Sequence, residues 1–336
     1  MKRNLFKRML SLILLALVFT GCKKSTDQEL ASVDDVNRRA GPGGHDNRCR
    51  LRSFVQSDGF NENFHYNDKG LADRWFVDYG DGTTFDYHIT YDRKNRLKSS
   101  RMFIDGDAVN YTFHNTGNRT DRITGYLEST GDPYADIYYT YNRKGQMISL
   151  DDNVADLHSR FSYDRMGNNN RIDFYIGSEL FYTYLLTFDV PNKNPYLALN
   201  GVDFGFVSNF FLAPYFDKRW NNTGTFIIYD NGSPIVVADD DPAQTQLITG
   251  SGNYLTYAGY YDFVNEYYYD LRFEYENCGN ENCDDKGINS ASPVRATTAM
   301  SAKTKLRKIV EMRSGNMKLE LMNFKKDCIS RYKKGR

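Results

Sequence analysis

The chain has 336 residues, with 43 Lys plus Arg against 43 Asp plus Glu, and 15% of its residues are aromatic, 26 of them Tyr. The balance is uneven: residues 22–300 hold 40 acidic against 27 basic residues, while Lys303 onward holds 12 basic against 3 acidic. An acidic body repels phosphates, which argues against nucleic acid as a partner, and so much Tyr, Phe and Thr favours pleated, half-buried surfaces.

At the N-terminus Lys2, Arg3, Lys7 and Arg8 precede an apolar run from Met9 to Phe19, broken by Ser11. A charged segment followed by an apolar one too short to span a bilayer is a signal peptide. Small Thr20 and Gly21 ahead of Cys22 fit a bacterial lipobox, with Phe19 where Leu is usual. Residues 1–21 are therefore expected to be removed and Cys22 to carry acyl chains. That would place the chain in the cell envelope, at the outer membrane on its periplasmic or surface face. Residues 22–47 are polar, contain Gly41-Pro42-Gly43-Gly44, and read as a flexible tether.

The next region, 48–287, carries a repeat in which an aromatic residue is followed by Asp or Asn, two variable residues and Gly. Its copies include Tyr66-Asn67-Asp68-Lys69-Gly70, Tyr91-Asp92-Arg93-Lys94-Asn95, Phe113-His114-Asn115-Thr116-Gly117, Tyr141-Asn142-Arg143-Lys144-Gly145 and Tyr163-Asp164-Arg165-Met166-Gly167. Phe188-Asp189, Tyr229-Asp230-Asn231-Gly232 and Tyr275-Glu276-Asn277-Cys278-Gly279 extend the series more loosely. In each unit the aromatic ends a strand, Asp or Asn starts a turn, and Gly or Asn supplies the positive φ that reverses the chain. A period of about 24 residues holds two strands and two reversals. Alternation agrees: in Phe85–Tyr91 one face reads Phe, Tyr, Ile, Tyr and the other Asp, His, Thr. The expected fold is all-β, an antiparallel up-and-down meander of about 16 strands forming a flattened barrel or two packed sheets, with the anchor aromatics inside. Tight loops, short strands and the acyl anchor argue against a membrane-spanning barrel.

The Tyr-Asp-Arg-Met-Gly and Tyr-Asn-Arg-Lys-Gly units resemble, over about residues 60–190, the tyrosine-aspartate repeats of Rhs-type shell proteins. Over about residues 48–287 the chain is more similar to an uncharacterised family of Gram-negative envelope lipoproteins with a porin-like β fold. That resemblance rests on Asp189-Val190-Pro191-Asn192-Lys193-Asn194-Pro195 and on Asn221-Asn222-Thr223. It implies a fold and brings no catalytic residue with it.

Between Phe188 and Tyr229 the period breaks. Pro191 and Pro195 cannot sit in a central strand, and Phe204 to Trp220 concentrates apolar mass that must bury itself, with a short helix expected near Val207–Ala213. The structural reading is a plug or cap. The functional reading is a ligand platform on which Tyr215 or Trp220 stacks a sugar or apolar ligand. Residues 288–304 read as a linker. Residues 305–336 form a basic segment, expected as a hairpin, because Met317, Leu319 and Leu321 alternate with Lys318, Glu320 and Met322.

Four cysteines remain besides Cys22. An exported chain can oxidise them, and the expected bridges are Cys278–Cys283 and, with less support, Cys49–Cys328. No hydrolase elbow, metalloprotease or P-loop motif occurs. His65, His88 and His114 share a sheet face but lie two strands apart, too far for one ion, so they are read as solvent-facing. Asp78–Gly82 and Asp239-Asp240-Asp241 lack EF-hand ligand spacing. No catalytic set, metal site or cofactor is expected. The leading functional expectation is a non-enzymatic envelope module that binds a glycan or peptide. The second is a structural or assembly factor contacting other envelope proteins, and the third a hydrolase with scattered carboxylates.

Overall fold

The computed structural model describes residues 49–104, 106–188, 192–199, 223–230, 232–239, 246–262, 267–278 and 317–334. Seventeen strands follow one another. The first six are β1 (Arg50–Gln56), β2 (Asn61–Tyr66), β3 (Ala72–Asp78), β4 (Thr84–Tyr91), β5 (Leu97–Ile104) and β6 (Asp107–Thr116). Next come β7 (Arg119–Leu127), β8 (Pro133–Tyr141), β9 (Met147–Asp152), β10 (Leu157–Tyr163), β11 (Asn169–Ile176) and β12 (Glu179–Thr187). The series ends with β13 (Thr223–Asp230), β14 (Ser233–Asp239), β15 (Gln246–Thr249), β16 (Leu255–Asp262) and β17 (Tyr267–Glu276). One helix, α1 (Met317–Lys334), follows.

The expected all-β meander is what the chain forms, as one sheet with one strand more than the repeat count gave. Each strand from β1 to β14 pairs antiparallel with the next, and so do β15 to β17. The sheet turns back on itself, because β1 is bonded to β2 on one side and to β17 on the other. The ends of this continuous run are β14 and β15, between which the described residues carry no ladder. An odd number of strands cannot close with every neighbour antiparallel, and β14 and β15 run in the same direction. The seam falls where the topology forbids a hairpin.

Alternation sends one face inward. Trp75, Val77, Phe85, Tyr87, Met102, Val109, Tyr111, Ile123, Ile137, Leu150, Ile172, Phe174 and Tyr182 form one continuous core. Trp75 stacks between Phe64 (5.9 Å) and Tyr87 (4.9 Å). Each such side chain contributes about 1.5–3 kcal/mol by leaving water.

The repeat explains one rim in atomic detail. Asn67, Asp92, Asn142 and Asp164 each accept backbone N–H groups within their own five-residue turn, as in Asp92 Oδ1 with Lys94 N (2.8 Å) and Arg96 N (2.9 Å). Gly70, Asn95, Gly145 and Gly167 supply the positive φ. The anchor tyrosines then tie one unit to the one before. Tyr66 donates to the Leu51 carbonyl (2.6 Å), Tyr91 to Ala72 (2.5 Å), Tyr141 to Thr120 (2.8 Å), Tyr163 to Met147 (2.6 Å) and Tyr275 to Leu255 (2.6 Å). In the third unit Asn115, not Phe113, does this, donating to the Leu97 carbonyl (2.7 Å). Phe113 is an ordinary inward core residue two positions earlier. Tyr229 departs as well: it ends β13 at the opposite rim, and its hydroxyl lies 3.2 Å from Thr183 Oγ1.

Two elements outside the meander complete the core. After β12, Asn194 caps a short 3₁₀ turn, Pro195–Ala198, and Tyr196 inserts against Phe54 and Phe64 while donating to buried Glu62 (2.9 Å). This start of the inserted segment is buried, as a plug would be; Val207–Ala213, Tyr215 and Trp220 lie outside the described residues. The C-terminal segment is the second element, and here the expected hairpin is corrected. Residues 317–334 form α1, whose buried residues Leu321, Phe324, Lys325 and Cys328 recur at helical spacing, while Leu319, which the alternation placed with them, is exposed. The helix lies against β14 and brings Lys325 to within 3.3 Å of Glu179, beside β12. Residues 305–312 lie outside the described residues.

The expected bridges are corrected too. Cys49 is bonded to Cys278, 229 residues away in sequence, because the β1–β17 ladder brings the first and last strands side by side. Cys328 lies on the buried face of α1 and forms no disulfide, Cys49 being already bonded to Cys278. Cys283, the signal segment with Cys22, the tether and the linker 288–304 lie outside the described residues.

Candidate functional site

The outward face of the meander is a lattice of ion pairs. Across strands, Arg74 holds Asp86 through two bonds of 2.8 Å, Arg122 holds Asp136 (2.8 Å) and Arg160 holds Asp151 (2.7 Å); along β11, Arg171 holds Asp173 (2.9 Å). The three histidines of the shared-face comparison are exposed, each with its own partner: His65 with Asp73, His88 with Asp86 and His114 with Thr124. Among the described residues no group of three or more His, Cys, Asp or Glu is placed to hold a metal ion.

On this face, over β4 to β7, lies an open cleft of about 620 Å³. Strand register builds it. Asp86 is opposite Phe103, and Phe103 is opposite Ala108, so small Ala108 forms a floor beside the Phe103 ring. One step along, Arg101 is opposite Asn110, and Asn110 opposite Tyr126. Glu128, just past β7, returns over this row and takes two bonds from Arg101 (2.7 and 2.8 Å) and one from Asn110 (3.2 Å). Across the cleft Asp107 accepts the Ser129 hydroxyl (2.5 Å). The Arg101 guanidinium also lies 4.3 Å above the Phe103 ring, and His88 meets that ring edge-on.

All three cleft carboxyls are held below the usual carboxylate range. For Asp107 the Ser129 hydroxyl is the main cause and the Ala108 N–H the next. For Glu128 the causes are the bonds from Arg101 and then Asn110. Partial burial raises Asp86, but bonds from Arg74 and His88 outweigh it. The cleft therefore presents ionised, oriented acceptors, a planar guanidinium and one aromatic edge. It offers no protonated carboxyl to serve as a general acid. Sequence reasoning missed it because its residues come from three strands and two loops, with no more than two polar side chains from any one of them.

The class defined so far is an all-β protein of one sheet with a buried aromatic core and an ion-paired exterior. No family model matches the chain, and no curated protein matches it. Among solved structures it is similar to a porin-like protein from Bacteroides uniformis ATCC 8492, at 10% identity and TM-score 0.43, over 68% of this chain and 95% of that one. It is also similar to a porin-like protein from Bacteroides vulgatus ATCC 8482, at 9% identity and TM-score 0.33, over 67% and 98%. Likeness of this size concerns the path of the chain alone, and no chemistry is carried across.

Proposed function

We propose that this protein is a non-enzymatic module held in the bacterial envelope by acyl chains on Cys22, and that its β4–β7 cleft grips a hydroxyl-rich ligand, a glycan. The observation that carries the binding role is the cleft itself. Oriented Asp86, Arg101, Asn110, Asp107 and Glu128 beside the Phe103 ring match the mixed hydrogen-bonding and C–H surface of a sugar. Three depressed carboxyls speak against the hydrolase reading, which needs one raised acid. An ion-paired outer face speaks against strands that face lipid, and an inward face of buried apolar side chains is unlike the polar lumen of a channel. Export is supported by the Cys49–Cys278 bond, since disulfides persist in oxidising compartments.

Two experiments test the reading. Full-length protein in detergent is applied to a glycan array, together with Arg101→Ala and Glu128→Ala. A glycan retained by the parent and weakened at least tenfold by either change is expected, and a parent that retains none defeats the glycan assignment. Separately, Cys22→Ser should move the protein out of the membrane fraction. If that variant stays membrane-bound, the lipid anchor is wrong.

A further inference from the structure

A second outward surface, on β15, β16, β17 and β1, differs from the ion-paired lattice and is separated from the cleft by β2 and β3. Register aligns Ile248, Tyr257, Arg272 and Val55 in one row across the four strands. At a strand spacing of about 4.8 Å the row spans about 14 Å. Ile248, Val55 and Tyr268 are 46%, 43% and 40% exposed, so the patch is open to water.

Its centre is Gly259, an outward position opposite Gln246 and Asp270. A Cβ on Gly259 would overlap the Tyr268 hydroxyl and lie 2.8 Å from Tyr268 Cζ and 2.9 Å from Tyr257 Oη. Both phenols therefore lean across bare backbone from opposite sides, and their hydroxyls approach to 3.4 Å. A side chain at position 259 would push both rings out of this space. Beside them Arg272 and Asp270 neutralise each other (3.2 Å). Exposed Glu274, two residues beyond Arg272 on the same face, accepts the Ser53 hydroxyl (3.0 Å), so the surface joins two phenols to one internal ion pair and one further carboxylate.

We propose that Tyr257, Tyr268 and the Gly259 gap form a stacking platform for the ring faces of a neutral, flat-chained polysaccharide. A pyranose presents a C–H face to an aromatic ring while its equatorial hydroxyls reach sideways to polar neighbours. The chemistry here fits that occupant. A lipid or an apolar protein face would leave Arg272, Asp270 and two phenol hydroxyls without their water. An anionic polymer would gain nothing from a patch whose one cation is already paired. The platform is independent of the β4–β7 cleft, and either can fail alone.

The test is retention of the full-length protein, in detergent, on three insoluble neutral polysaccharides: cellulose, chitin and xylan. The parent should be retained on at least one. Tyr257→Ala and Tyr268→Ala should each reduce retention at least fivefold. Tyr268→Phe, which keeps the stacking face, should hold within twofold. Gly259→Ala leaves both rings present but displaces them, and should weaken retention as much as either Ala variant. Thermal unfolding of each variant checks that the sheet is intact, and Arg171→Ala, an outward ion-pair residue in neither site, should bind these solids as the parent does. No retention of the parent on any of the three, full retention by a folded Tyr257→Ala/Tyr268→Ala double variant, or loss of retention with Arg171→Ala overturns the platform.

Discussion

The strands from β1 to β11 and those from β12 to β17 belong to one sheet but are held in different ways. In the first part every second strand ends in a side chain that reaches back to the start of the previous unit. Tyr66, Tyr91, Asn115, Tyr141 and Tyr163 each satisfy one rim carbonyl there. In the second part Tyr275 does so for Leu255, and an inserted 3₁₀ turn, a C-terminal helix and a disulfide add support of another kind. The difference teaches that a repeat stabilises its rim locally, unit by unit, while the part without repeats depends on contacts between residues distant in sequence. The outer faces differ in balance: cross-strand ion pairs accompany exposed Tyr126 and Tyr138 over the repeats, while Tyr257 and Tyr268 meet each other over Gly259 on β16 and β17.

The contrast can be broken first at its centre. Trp75→Ala removes a core residue 1% exposed between two stacked rings, and should cost about 3–5 kcal/mol in denaturant unfolding. A loss under 1 kcal/mol would mean that the repeat core is not packed as described. Next, Cys278→Ser should cost about 2–5 kcal/mol, and hydrogen exchange should report the loss mainly in β1, β16 and β17. Equal loosening across β3–β10 would erase the distinction between local and distant support. Third, Tyr91→Phe strips the hydroxyl from a rim tie and should cost about 1–3 kcal/mol, because the Ala72 carbonyl loses its partner, whereas Tyr257→Phe on the outer face should cost under about 0.5 kcal/mol.

The smallest effect is one of pH. Burial, before any charge effect, holds the phenols of Tyr66, Tyr91, Tyr182 and Tyr275 above the ordinary value of 10. A raised folded pKa adds stability that is fully present below pH 10 and is lost as pH rises toward the folded values. The opposite holds for Asp86 and Asp151, whose folded values lie below 3.8; their contribution is present above about pH 4 and fades as pH falls. Unfolding midpoints should therefore fall at both extremes. In Tyr91→Phe the alkaline limb should flatten and the acid limb should not.

What could be read from the sequence was what is decided locally. Asp92 followed by Asn95, or Asn142 by Gly145, encodes a turn within five residues, so strand ends were legible. The third unit was misaligned by two residues because Phe113 looks like an anchor, while Asn115 can make the same tie without a ring. Helix α1 was misread because Met317, Leu319 and Leu321 imitate a period of two at its first turn; the later spacing of Phe324, Lys325 and Cys328 carries the true period. The Cys49–Cys278 bond was hidden because it depends on which strands meet after the sheet has wrapped. The cleft was hidden because no one strand contains it. The outer platform did leave a trace, since Tyr257 and Gly259 alternate with inward Ala258 and Tyr260.

The parity of the sheet limits how such a chain can change length. Gaining or losing one 24-residue module adds or removes a hairpin, so the strand total stays odd whatever the copy number. Duplication can widen the body or shrink it, but cannot heal the mismatch between β14 and β15. That boundary is a fixed origin from which the array is counted, and only the gain or loss of a solitary strand could erase it.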